Sequence, residues 1–424
     1  MEDSPVETRH AHRTLRRALD ATALSLGSRL WLSGLCLAAA TALWLPLVQF
    51  VFRPRAADVL GPPRAAGVPD SIPPRARALS ARHLALWTDP SLRDGEIARM
   101  RRSNAEWDFM SRTFFCLALC NMALSEPGEK ARYLEIVDRI LEETLKLERE
   151  KGIYFFLMDY ARARPFVQSP PRSLFVDGEI ALVLGARRVV EEKPEYRPLL
   201  SERVDAIVRA MRGGPILCAE SYPDECWLFC NTAALAAIRI SDHLEGTDHG
   251  TFFGEWLRAA RGKLIDERTG LLISSFDLEG HAIDGPEGST IWTAAHFLQL
   301  VDADFARDQY RRARTELGRS LLGFGYAREW PVSYVGPQDV DSGPVVPLLD
   351  ASPASSGLAL AGAATFGDAG FFLELCASLD FAAFPLERGG ELRYCASNQV
   401  GDAVMLYAMV LGPLWKKVSE GARP

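Results

Sequence analysis

From about residue 79 onward the hydrophobic pattern alternates between two kinds of segment. One kind is apolar at helical spacing with charges between, as in Leu134, Val137, Leu141 and Leu145, or Leu200, Val204, Ile207, Val208 and Met211. That spacing predicts helices with one face on a core and one in water. The other kind is apolar nearly all round and rich in small residues: 107–124, 175–184, 228–240, 355–364 and 402–414. Such helices belong where both sides are packed. Together they number eleven or twelve in strict alternation, which predicts an all-α fold, an (α/α)6 toroid with a dry inner ring inside an amphipathic outer one. An irregular helical bundle is the competing architecture. Residues 270–283 (GLLISSFDLEGHAI) read instead as a short hairpin turning at Glu279-Gly280.

Ahead of this region, residues 30–52 form a run of 23 without a charge. At roughly 1.5 Å per residue it is long enough for a hydrocarbon core of about 30 Å, with Trp31 and Trp44 as interfacial anchors. Phe52-Arg53-Pro54-Arg55 follows where a cleavage site would need small residues, so a signal anchor is expected rather than a signal peptide. Arg9, Arg13, Arg16, Arg17 and Arg29 precede the run, against Arg53, Arg55 and Arg64 after it. This bias predicts a single-pass protein with a cytoplasmic N-terminus and an extracytoplasmic, periplasmic domain. The expected layout is a basic arm over 1–29, the span over 30–52, a Pro/Arg/Ala-rich linker over 53–78 and the helical domain over 79–424. Net charge is −7 and no basic stripe marks the domain, which argues against nucleic acid as a partner. The partners expected are a small-molecule substrate and the membrane; homo-oligomerisation stays open.

Candidate chemistry gathers where all-apolar helices begin, because those starts converge on a toroid's centre. ESYPDECWLFCN supplies Asp224, Glu225, Cys226, Trp227, Cys230 and Asn231. A helix dipole favours a thiolate there and the two acids oppose it. Buried structural thiols, or a disulfide within Cys218, Cys226 and Cys230, would explain the same cysteines. The C-x3-C spacing lacks a second pair, so no metal site is expected, and no cofactor either. Asp177 and Glu179, embedded in LFVDGEIALVLG, read as general acid or base, or as a cap and a first-turn acid. Asp339 and Asp341 share one side of an extended GPQDVDSGP loop and are read as catalytic or ligand-binding, or as turn residues. Ser289, Trp292, Tyr334 and Tyr394 complete the candidate substrate-binding set, and His296 reads as a core histidine.

The block from Cys230-Asn231 through Asp242-His243-Leu244, Gly246-Thr247-Asp248, Leu264-Ile265-Asp266 and Val301-Asp302-Ala303-Asp304-Phe305 resembles the linalool dehydratase/isomerase family. Met122-Ala123-Leu124 with Pro127, the 339–343 loop and Leu392-Arg393-Tyr394 extend the resemblance over roughly residues 105–415. It implies an (α/α)6 barrel outside the cytoplasm and cofactor-free proton transfer interconverting linalool with myrcene and geraniol. Cys230 matches one family cysteine, while the other falls at Ser221, or at Cys218 after a shift. The family's histidine falls near Asp177, a pocket aromatic at Ser289 and a first-helix tyrosine at about Met110; only a competing register offers Asp108 for its aspartate. This implies a more acidic, less aromatic pocket than the family's.

Three functions follow as expectations. The first is a membrane-anchored lyase or isomerase using acid–base catalysis on a small hydroxylated substrate, terpenoid or otherwise. The second is a carbohydrate-active toroid with Asp177 or Glu179 opposite Asp339 or Asp341. The third is a non-catalytic binding module.

Overall fold

The computed structural model describes residues 26–61, 71–339 and 342–421. The chain divides into two units, Met1–Val51 and Phe52–Pro424. Helix α1 (Leu26–Phe52), whose last residue opens the second unit, has no buried residue and is long and apolar enough to cross a membrane. The basic arm expected over 1–29 lies mostly outside the described residues.

The second unit continues with α2 (Ala56–Leu60), whose Val59 is fully buried, and α3 (Pro74–Thr88), so both ends of the expected linker are helical. Helix pairs then follow in chain order. Helix α4 (Ala105–Ser125) precedes α5 (Lys130–Lys151), and α6 (Leu174–Val190) precedes α7 (Tyr196–Gly213). Strand β1 (Cys226–Trp227) leads into α8 (Leu228–Glu245), followed by α9 (Gly250–Lys263). Strands β2 (Ser275–Phe276) and β3 (Ala282–Asp284) precede α10 (Gly288–Leu298) and α11 (Ala303–Glu316). The hairpin β4 (Gly318–Leu321) and β5 (Phe324–Ala327) leads to α12 (Pro353–Phe366) and α13 (Ala369–Ala382). A last hairpin, β6 (Pro385–Arg388) and β7 (Glu391–Tyr394), precedes α14 (Gln399–Val410) and α15 (Pro413–Gly421).

Among the described residues six helices close a ring: α4 packs on α6, α6 on α8, α8 on α10, α10 on α12, α12 on α14, and α14 returns to α4. These are the all-apolar helices, and every residue of α6 is buried. The amphipathic α5, α7 and α11 and the largely apolar α13 lie against their ring neighbours, α3 takes the position beside α14, and α15 crosses α4, α6 and α8. The fold is an (α/α)6 toroid. Local signals end its helices where the sequence changes. Asn104, Ser173, Ser352 and Asn398 cap α4, α6, α12 and α14 through side-chain acceptors, and Gly246 and Gly367 end α8 and α12 in the left-handed region. The tightest seam is α6 on α8. A Cβ on Gly185 would come within 2.6 Å of Ile240 Cγ2, and one on Gly178 within 3.3 Å of the Ala234 nitrogen.

The hairpin read at 270–283 is present as β2–β3, with Gly280 at a φ of 87° in its turn, and β1 joins it as a third antiparallel strand. Cys226 pairs with Phe276 in that sheet, so it stands outside the helix that carries Cys230.

Candidate active site

Bonds between neighbouring helix starts, Tyr222 to Glu106, Ser173 to Ser221, Ser274 to Leu228 and Glu287, and Glu329 to Ser289 and Ser352, place the N-termini of α4, α6, α8, α10 and α12 on one face. Backbone N–H groups left open at helix starts make that face electropositive. Acids recruited to it are therefore stabilised, unless burial outweighs the dipole.

One cluster spans the starts of α4, α6 and α8. The Tyr222 hydroxyl donates to Glu106 Oε1 at 2.5 Å and accepts from the Met158 amide at 2.8 Å. Its ring stacks on Tyr160 at 4.8 Å. Burial and the neighbouring Glu106 push its pKa up. Thr113 Oγ1 donates to Glu179 Oε2, while Glu179 Oε1 is buried without a hydrogen-bond partner. Desolvation raises the Glu179 pKa to about 8; the Thr113 bond opposes this and Glu106 adds to it. Burial also drives the Cys230 thiol well up, against a hydrogen bond from Ser221, with Glu179 and Glu106 raising it further. At neutral pH the cluster thus holds a neutral carboxylic acid and a neutral thiol close to Glu106. A cavity of about 10 Å³ borders Glu179 beside Phe109, Arg112 and Cys116, room for roughly one water.

A second group joins α10 to α12. Glu329 is buried, accepts from Ser352 at 2.5 Å and takes the Ser289 amide at 3.1 Å. At the start of α14, Asp402 is buried with Oδ1 unpartnered, and desolvation raises its pKa to about 7.

The residues singled out from sequence distribute unevenly over this face. Glu179 and Cys230 belong to the first cluster. Asp177 is bound by Arg172 at 2.7 and 2.5 Å and by Arg203, which also holds Glu148 at 2.7 Å. Asp224, at a φ of 62°, is half-buried and paired with Arg164 at 3.2 Å. The Trp227 indole donates to Glu225 at 3.3 Å. Asn231 ties its helix to the Ala219 backbone and to the Trp227 carbonyl. Cys226 is a buried thiol with its pKa raised by burial, and all eight cysteines are unpaired. The Trp292 indole donates to Ser355 at 3.0 Å inside the core. Tyr334 stacks on Trp330 at 5.2 Å. Tyr394 donates to Asp380, which Arg75 also holds, away from the first cluster. Asp339 is exposed on its loop, and Asp341 lies outside the described residues. His296 is in the core, bonded to Thr365 and Tyr407 and stacked on Trp415.

Glu106, Thr113, Tyr222 and Glu329 were not picked out from sequence. Glu106 carried a signal, an acid in the first turn of an otherwise apolar helix, although the same pattern is ordinary at helix starts.

A closed ring of paired helices with buried acids gathered at its inner starts defines a toroidal α-helical protein with an enclosed acid–thiol site. The profile of the linalool dehydratase/isomerase family matches residues 182–400, just over half of the chain, and the chain belongs to that family. Cys230 and Ser221 fall inside the matched stretch; Glu106 and Glu179 precede it. Similar solved structures include a GH76 α-mannanase from Bacteroides thetaiotaomicron, 11% identical over 73% of this chain and 87% of that one, with a TM-score of 0.47. A possible GH105 member from Salmonella enterica is 14% identical over 71% of this chain and 82% of that one, with a TM-score of 0.47. An inactive variant of an α-1,6-mannanase from Salegentibacter is 13% identical, covering 73% and 89%, with a TM-score of 0.44.

Proposed function

We propose that this protein is a single-pass, membrane-anchored enzyme that removes water from, or isomerises, a small hydroxylated substrate by cofactor-independent acid–base catalysis. Residues 1–29 form its cytoplasmic arm, 30–52 its span, 53–78 the passage from span to domain, and 79–424 the periplasmic catalytic domain. The observation that carries the reading is Glu179, a buried carboxyl kept protonated near pH 7 with one oxygen unpartnered. A neutral carboxylic acid in a low-dielectric site is the donor that hydroxyl departure requires.

Glu179 gives its proton to the substrate hydroxyl, the C–O bond breaks, and water leaves with the bonding pair. Glu106 then accepts a proton from the adjacent carbon, and the C–H pair becomes the alkene bond. Transfer of that proton back to Glu179 restores the enzyme. Cys230 polarises the substrate oxygen before it leaves. Water adding to a different carbon of the same cation, with its extra proton returned to the Glu179 carboxylate, gives isomerisation. The carbohydrate alternative paired Asp177 or Glu179 with the 339–341 loop, and Asp177 is engaged by two arginines instead.

The test is anaerobic turnover of linalool, geraniol and myrcene by the full chain in proteoliposomes, beside Glu179→Gln and Cys230→Ala. Interconversion by the parent that is lost in Glu179→Gln supports the assignment. Undiminished turnover in that variant removes Glu179 as the acid, and no turnover by a folded parent removes these substrates.

A further inference from the structure

Within the domain unit, two hairpin regions display large apolar side chains side by side. The β4–β5 turn carries Leu321, 47% exposed, and Leu322. The segment from α13 into β6 carries Phe381, Phe384 and Leu386, exposed by 53, 66 and 44%. Phe324 and Phe381 pack with ring centroids 5.4 Å apart, and Phe52 joins them at 6.3 and 5.1 Å. Leu322 and Phe384 hold φ values of 52° and 50°, a left-handed backbone that L-residues with a Cβ disfavour. A soluble surface gains nothing from placing a strained Leu and a strained Phe in water. Strain of this kind persists where the side chain has a task.

We propose that this patch docks into the interfacial layer of the lipid bilayer, seating the domain on the membrane; the proposal rests on the reading of residues 30–52 as a span. The chain itself argues for lipid as the occupant. Phe52, half-buried against Phe324 and Phe381, is the last residue of the uncharged run, so the patch is covalently continuous with the point where that run ends. Exposed Arg53 and Arg55 follow at once, at the level where headgroup phosphates would lie. On the β6–β7 hairpin Glu387 and Glu391 offset Arg388 and Arg393, so the contact is chiefly apolar and holds on zwitterionic lipid as well.

The experiment uses the full chain reconstituted in phosphatidylcholine vesicles, with Cys36 and Cys395, the two exposed cysteines, replaced by serine. Single cysteines at Leu322, Phe384 and Leu386, and at exposed Glu202 on α7 as reference, carry an environment-sensitive fluorophore. Lipids spin-labelled on the acyl chain are expected to quench the three patch labels several-fold more than the reference. Quenching equal to the reference overturns the docking. Patch labels shielded from water but unquenched by lipid, with shielding lost at one chain per vesicle, assign the patch to a second copy and equally overturn it. Alkaline carbonate extraction reads the span separately. Release of the chain overturns the span and the tether with it, whereas retention with unquenched labels overturns the docking alone.

Discussion

Tyr222 and Glu106 lie 116 residues apart in sequence and meet through a 2.5 Å hydrogen bond at the mouth of the ring. The same phenol accepts the Met158 amide, so one side chain fastens the loop before β1 to the start of α4 and to the segment after α5. Tyr222→Phe removes both bonds, taking the phenol from the half-buried Glu106 carboxylate and from the Met158 amide. The expected cost is about 1–3 kcal/mol in urea unfolding, with turnover falling in proportion to the misplacement of Glu106. A variant as stable as the parent would show that water replaces the phenol there.

Glu179 makes stability depend on pH with a definite sign. Its carboxyl ionises near 4.5 in the unfolded chain and at about 8 in the fold. The unfolded state therefore releases its proton first, and stability falls as pH rises from 4.5 through 8. Asp402, raised from 3.8 to about 7, acts in the same direction. Burial lowers His83 to about 4 and His296 to about 3, so their contribution is lost as pH falls below about 6.5. Thermal unfolding of Glu179→Gln is expected to match the parent near pH 4 and to exceed it increasingly toward pH 8. Parallel curves over that range would place the titration elsewhere.

Activity should separate the two acids of α6. Asp177→Asn breaks an ion network and is expected to lower stability while leaving turnover per folded molecule unchanged. Glu179→Gln is expected to lose about 10²- to 10⁴-fold in kcat. Arg203→Met strands Glu148 and half-releases Asp177; since Arg172 still holds Asp177, the cost stays at or below about 3–5 kcal/mol. A double-mutant cycle between Asp177 and Arg203 checks the coupling.

The seam of α6 on α8 yields a steric prediction. In Gly185→Ala the new methyl would sit 2.6 Å from Ile240 Cγ2, a branch that cannot turn away because β-branched residues hold one χ1 in helices. Despite the better helix propensity of alanine, the variant is expected to lose about 1–3 kcal/mol, read from its thermal midpoint. Ile240→Ala should relieve part of that loss in the double variant.

Much of this architecture is legible in the hydrophobic pattern because burial is a local property of a helix. Helices α4, α6, α8, α12 and α14 are apolar all round and stand in the inner ring. The sixth, α10, is short; its Trp292 drew attention as chemistry rather than as core, whereas His296 was read as core and is. Asp177 and Glu179 look equivalent in sequence, yet two residues on a helix differ by about 200° in direction, so one meets arginines and the other meets Thr113. The C-x3-C spacing does not show that Cys226 and Cys230 sit on different elements: the Cys226 backbone pairs with Phe276 and the helix begins after it. The Glu106–Tyr222 bond had no local trace, since nothing near either residue encodes the other.

The return of α14 onto α4 also sets an order of events during synthesis. Glu106, Thr113, Glu179 and Cys230 all sit on the first three ring helices, so they emerge from the ribosome well before residue 399. Until α14 follows, α4 lacks the neighbour that covers one of its apolar flanks. A chain stopped short of Gln399 would hold every group of the first cluster on an unclosed arc, sticky along that flank and a natural client for chaperones. The chemistry is made first and its container last.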